Sequence, residues 1–213
     1  MNRCLFCQEV YLPSWELGNL WTRQVTCPTC KIKFVKRGEC VDCGKPGSTC
    51  CSDCTEWRKQ GLTLQTTPLY LYNDAAKTFM HRFKFLGDTA LLEMFTDDLK
   101  KVKIKQAVLV PIPLSIERLA DRRFNQAEAI ARQMRGKIVP YLSRVDGPAQ
   151  SKVGRQARLA RSNPFCVSGD VKGKNIVLID DVYTTGVTLR QAMIRLKEAG
   201  AKEISAVTLF RSV

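Results

Sequence analysis

No apolar stretch in these 213 residues is long enough to span a bilayer, so membrane insertion is not expected. Residues 1–4 run straight into polar, CxxC-type sequence without the apolar core of a secretory leader, which argues against export. There is no low-complexity tract, and no internal repeat apart from the CxxC pairs. With 45% hydrophobic and 25% charged residues the chain can bury a core, which excludes dominant disorder. Histidine is almost missing. His81 follows a helix core position and reads as part of that helix rather than as a metal ligand or base.

Cysteine is scarce after residue 54, where only Cys166 occurs; the other nine of ten lie between Cys4 and Cys54. Without an export signal the expected compartment is the reducing cytoplasm, where paired cysteines bind metal rather than form bridges. The pairs are Cys4/Cys7, Cys27/Cys30, Cys40/Cys43 and Cys51/Cys54. Each CxxC knuckle presents two thiolates to one tetrahedral ion, so four pairs predict two structural Zn²⁺ sites. Pairing is either sequential, which keeps the loops short, or interleaved. Cys50 is spare and could exchange with Cys51. Residues 1–60 are rich in Cys, Gly and Pro and poor in long apolar runs, so this small zinc-binding domain should need its metal to fold. Trp15, Trp21 and Trp57 are core fillers or interface aromatics.

The formal net charge is +14. Residues 1–65 hold 9 Lys and Arg against 6 acids, and the remainder holds 25 against 14, so the basic surplus belongs to the second part. Such a surplus predicts polyanionic partners, although solubility can also account for a modest excess.

From residue 66 to 213 strand and helix signals alternate, which predicts a second, α/β domain with a mainly parallel sheet. Residues 69–72 read as a short strand. Asp74 then caps a helix with Ala76, Phe79, Met80 and Phe83 on one face, and residues 91–99 resume helical spacing. Residues 107–110 form a buried strand, 125–134 a helix and 138–142 a strand. Residues 143–175 lack a clear period. Residues 176–179 are a wholly apolar strand, followed by a helix over 187–199, and 204–210 close the sheet.

The string VLIDDVYTTGVT, residues 177–188, carries the clearest chemistry. A buried strand delivers Asp180 and Asp181 to its carboxyl end, where ligands bind in open α/β sheets. Adjacent carboxylates accept hydrogen bonds from a vicinal diol such as a ribose. Thr184, Thr185, Gly186, Val187 and Thr188 then lead into a helix N-terminus, a site for a phosphate dianion. The bland alternative is a plain strand–turn–helix corner.

This string resembles the phosphoribosyl pyrophosphate (PRPP) motif of type I phosphoribosyltransferases. With four CxxC pairs, HRFKFLGD (residues 81–88), VPIPLS (110–115) and RRFNQA (122–127), the chain resembles the ComF group end to end, the ComFC proteins of natural competence and the GntX-type proteins. The resemblance implies a Rossmann-like parallel sheet with helices on both faces, preceded by a double zinc ribbon. It gives Asp180 and Asp181 the ribose hydroxyls, residues 184–188 the 5′-phosphate, and residues 112–115 the pyrophosphate loop. Arg118, Arg122 and Arg123 become candidates for neutralising diphosphate together with Mg²⁺, or else form a solvated helix face.

Residues 150–165 contain no acid but carry Lys152, Arg155, Arg158 and Arg161. Type I enzymes have there the loop that closes over PRPP, so this segment clamps diphosphate, tracks a nucleic-acid backbone, or is merely solvated. Three functions follow. The resemblance favours a competence protein in DNA uptake that binds PRPP and single-stranded DNA beside a ComFA-like helicase. The second is an active phosphoribosyltransferase, for which no base-selecting segment is recognisable. The third is a zinc-based adaptor with a vestigial PRPP site.

Overall fold

The computed structural model describes residues 1–13, 24–104, 106–145 and 163–213. Trp15, Trp21 and the cationic-loop residues Lys152, Arg155, Arg158 and Arg161 lie outside them.

The sheet that positions the site has four parallel strands. They are β3 (Thr66–Leu71), β4 (Ala107–Pro111), β7 (Asn175–Tyr183) and β8 (Glu203–Arg211), in the order β3-β8-β7-β4. Residues 204–210 were expected to close the sheet; β8 instead lies inside it, between β3 and β7. Local periodicity identifies a buried strand but does not contain its lateral position. Strands β5 (Leu142–Arg144) and β6 (Phe165–Val167) form a separate antiparallel pair. The strand expected over 138–142 is therefore displaced, and Ile138 makes only an isolated bridge to Leu109.

Alternating side chains of the central strands feed two cores. Leu109, Val177, Ile179, Val207 and Leu209 point to one face, covered by α3 (Asp74–Phe85), α6 (Gln126–Gln133) and the stretch between Thr89 and Lys101. Val110, Ile176, Leu178 and Ala206 point to the other, where α7 (Val187–Glu198) supplies Leu189, Ala192, Met193 and Leu196. Helices thus cover both faces, as expected. Helix α3 is capped by Asn73, whose side chain accepts from the Ala76 amide at 3.0 Å, and not by Asp74, the first helical residue. The helical spacing of 91–99 resolves into a 3₁₀ segment (Thr89–Phe95) followed by α4 (Thr96–Lys101).

The cysteine-rich segment contains β1 (Asn2–Arg3), β2 (Val10–Tyr11), α1 (Pro28–Lys31) and α2 (Ser52–Lys59). It lies against the sheet in two places. Leu71 N–H donates to Val35 C=O at 2.8 Å and Lys36 bridges Tyr70, so this stretch covers the outer edge of β3. Beside it the buried Phe34 ring meets Phe6, Tyr70, Phe79, Phe95 and Phe210 at centroid distances of 5.1–6.5 Å. On the other face Cys40, Cys43, Cys51 and Cys54 join the same core as Leu178 and Leu189.

Candidate functional site

Strand β4 pairs with β7 only as far as Pro111 opposite Ile179, with one further bond from the Ile112 amide to Ile179 C=O at 2.9 Å. Beyond that point β7 continues beside β8 alone, so a crevice opens between Asp180–Asp181 and the 112–115 loop. Asn125 holds the loop: its Nδ2 donates to Ile112 C=O at 3.0 Å while its Oδ1 accepts from the Ala127 amide at 2.9 Å and caps α6. Ser115 caps the next helix, α5 (Ile116–Arg122), by accepting from the Arg118 amide.

The two aspartates differ in environment. Asp181 pairs with Lys84 of α3 at 2.7 Å. Asp180 accepts from the Asp181 amide at 2.9 Å. Although Asp180 keeps some exposed surface, lost hydration and then the adjacent Asp181 charge push its carboxyl up to about 7. The positive charges of Lys84 and Arg122 pull it back down. A carboxyl poised there exchanges a proton near neutrality and presents a full acceptor only above that pH.

Five residues after Asp181, Gly186 adopts φ +75° and opens α7 as its N-cap. A Cβ at this position would lie 2.3 Å from Arg190 Nη1 and 2.4 Å from the Tyr183 hydroxyl, so only glycine fits. Thr184, Thr185, Val187 and Thr188 flank it at the start of a 12-residue helix, where backbone N–H groups and the helix dipole favour an anion.

The arginines separate. Arg122 donates to the Gln126 side chain at 2.8 Å and contributes charge near Asp180. Arg123 is left-handed (φ 62°) and ends α5, lining a groove of about 910 Å³ with Leu119, Phe124 and Glu128 that flanks the crevice but does not include Asp180. Arg118 is exposed on α5.

Sequence reasoning gave no role to Lys84, Asn125, Arg190 or Arg211, and read Trp57 only as a core filler or interface aromatic, of which its 1% exposure bears out the first. Lys84 and Asn125 lie in the HRFKFLGD and RRFNQA strings, which were the available signal. A buried arginine such as Arg190 or Arg211 carries no local pattern that separates it from a surface one.

The cysteines assemble as two groups, Cys4/Cys7/Cys27/Cys30 and Cys40/Cys43/Cys51/Cys54, with the four sulfurs of each within 4.8 Å of one another. Pairing is therefore sequential. Cys50 stands outside, its Sγ 3.5 Å from the Thr55 hydroxyl. Four converging sulfurs with seven of the eight residues buried fit two structural zinc sites. In the second group a hydrogen bond from Cys54, then the Arg211 guanidinium, hold Cys43 down at about 4 against the effect of burial. The hydrogen bond to Cys43 and then burial push Cys54 up. His81 is exposed and belongs to neither group.

Among the described residues no helix is long and apolar enough to cross a membrane. The family model for the phosphoribosyl transferase domain matches residues 120–212. The competence protein ComFC of Streptococcus pneumoniae is 38% identical over 98% of this chain and 100% of its own length. That of Bacillus subtilis is 37% identical over 98% and 95%. A crystal structure of a hypoxanthine phosphoribosyltransferase from Staphylococcus aureus overlaps 58% of this chain and 60% of its own, at 18% identity and a TM-score of 0.30. So shallow an overlap bears on neither substrate nor activity.

Proposed function

This chain belongs to the ComFC family of competence proteins, and from that premise we propose that it binds PRPP and handles single-stranded DNA in the cytoplasm during natural transformation. The observation that carries the reading is the crevice itself. Two aspartates near the end of β7 are followed within six residues by a left-handed glycine and the N-terminus of α7, the succession of diol acceptors and phosphate donors that ribose 5-phosphate requires. In this reading Asp180 and Asp181 hold the ribose hydroxyls and residues 184–188 hold the 5′-phosphate. The 112–115 loop and Arg122 face the diphosphate, whose Mg²⁺ supplies further charge neutralisation. The +14 charge supports contact with a nucleic-acid backbone, with Arg118, Arg123 and the cationic loop of Lys152, Arg155 and Arg158 as the residues to test, and a ComFA-like helicase as the partner.

The test is a titration of PRPP and of single-stranded DNA, each in the presence and absence of the other. PRPP should bind in the Mg²⁺-containing protein and lose affinity in the Asp180→Ala/Asp181→Ala double variant. DNA affinity should fall steeply with salt. Wild-type affinity for PRPP in the double variant, or DNA binding insensitive to salt, would overturn the corresponding half of the reading.

One observation favours a second reading, phosphoribosyl transfer. Asp180 is poised near neutral pH beside the crevice, where it can take a proton from an incoming nucleophile. In that reaction the bond from ribose C1 to the diphosphate oxygen breaks, a bond from C1 to the acceptor forms, and diphosphate leaves with the electron pair. Diphosphate release from PRPP with each nucleobase tests it; silence in protein that binds PRPP removes nucleobase salvage.

A further inference from the structure

We propose that the second cysteine centre, Cys40/Cys43/Cys51/Cys54, is a positioning element for the 184–188 turn: with its divalent ion bound, it sets that turn's backbone through Trp57, Arg190 and Arg211. The proposal rests on the reading of 184–188 as a phosphate cradle.

Trp57 stands three residues after the ligand Cys54 on the same helix, α2, and is 1% exposed. Its indole N–H donates to Thr185 C=O at 3.3 Å. Arg190, also 1% exposed, stacks over the Trp57 ring with its guanidinium carbon 4.4 Å from the centroid. It donates to Leu62 C=O at 2.9 Å, to the Tyr183 hydroxyl at 2.9 Å and to Gly186 C=O at 3.2 Å. Arg211, 2% exposed, donates to Thr184 C=O at 3.1 Å and lies over the Tyr183 ring at 4.7 Å. Its other nitrogen is 3.9 Å from Asp53, the residue before Cys54, which also pairs with Lys45 at 3.5 Å. Three successive carbonyls of the turn, those of 184, 185 and 186, are therefore held from beneath by side chains rooted at or packed on the cysteine centre. When the carbonyls of a tight turn are drawn to one side, its amides are left to face an anion on the other.

Charge gives the metal its part. Two buried guanidinium groups are costly unless matched. Four thiolates on one divalent ion leave a net charge of about −2, which opposes Arg190 and Arg211. The first centre has a different seat: Arg82 of α3 donates to Phe6 C=O at 2.6 Å and to Leu5 C=O at 3.1 Å, so it is held by α3 and not by the helix that carries Trp57. It serves as the control.

The experiment compares Trp57→Phe, Cys51→Ser and Cys7→Ser with the wild-type full chain. It reads zinc content by native mass spectrometry, amide hydrogen exchange across 184–188, and PRPP affinity by calorimetry. Trp57→Phe keeps the ring and loses the N–H. It should retain both zinc ions and the sheet's exchange protection, yet speed exchange in 184–188 and weaken PRPP binding, each by about fivefold to tenfold, the scale of one lost hydrogen bond. Cys51→Ser should lose one zinc ion and give the larger effect, whereas Cys7→Ser should leave 184–188 protected. Unchanged exchange in zinc-replete Trp57→Phe overturns the proposal, as does equal loosening of the turn by Cys7→Ser. If Cys51→Ser does not fold, Trp57→Phe still decides. If the wild type does not bind PRPP, the crevice reading fails while the exchange data still judge the brace.

Discussion

Lys84→Met tests the electrostatics of the crevice most sharply. Lys84 and Asp181 meet at 2.7 Å with side chains only 18% and 13% exposed, so the pair is screened far less than a surface bridge. Opposite unit charges about 4 Å apart at an effective dielectric near 20 attract by about 4 kcal/mol. The variant also escapes the cost of desolvating the ammonium, and some solvent reaches the pair, which leaves a net loss of about 2 kcal/mol at pH 8. The loss depends on pH. Asp180 has a folded-state pKa of about 7, above its ordinary value of 3.8, so the folded chain holds this proton more tightly than the unfolded chain. Its contribution to stability is favourable below about pH 4 and is lost as pH rises towards 7. Without Lys84 the Asp180 carboxyl shifts up further and the penalty extends to higher pH. At pH 6 much of Asp180 is already protonated, the two negative charges no longer coexist, and the variant's deficit should shrink to about 1 kcal/mol. Urea unfolding of wild type and variant at pH 6 and pH 8, in zinc-saturated buffer, measures both numbers. A deficit that is equal at the two pH values, or larger at pH 6, would refute the coupling of Lys84 to the aspartate pair.

Three further outcomes follow from the same geometry. Wild-type affinity for PRPP should rise as pH increases through about 7, because the diol needs an ionised acceptor, and Asp180→Asn should flatten that rise; parallel pH profiles by calorimetry would contradict it. Gly186→Ala places a methyl 2.3 Å from Arg190 Nη1 at positive φ, so we expect a loss of about 1–3 kcal/mol in thermal unfolding and at least tenfold weaker PRPP binding. Phe34→Ala empties the centre of a six-ring cluster joining the cysteine-rich segment to the sheet, and should cost about 3–5 kcal/mol in chemical denaturation, where a loss under about 1 kcal/mol would mean the rings do not share one core.

Much of this protein was legible along the chain. Residues 177–188 encode their own geometry, since a buried strand, two acids and a glycine turn leading into a helix are all local, and each is fixed by backbone sterics and burial. Eight cysteines in CxxC spacing determined two thiolate centres in the same way, because each knuckle is a short-range object. Which knuckles pair was not local, and the assembled groups decided it. The position of β8 inside the sheet rather than at its edge was likewise beyond periodicity, which reports burial and not neighbours. The partners of the site came last. Lys84 reaches Asp181 across 97 residues, and Trp57 reaches Thr185 across 128, so no spacing in the sequence announces either contact. The sequence by itself determined the strand–turn–helix corner of 177–188 and the four CxxC knuckles, each of which forms within a dozen residues of chain. Only the tertiary structure decided that the second cysteine centre sits beside that corner, because long-range packing alone brings α2 under the turn that opens α7.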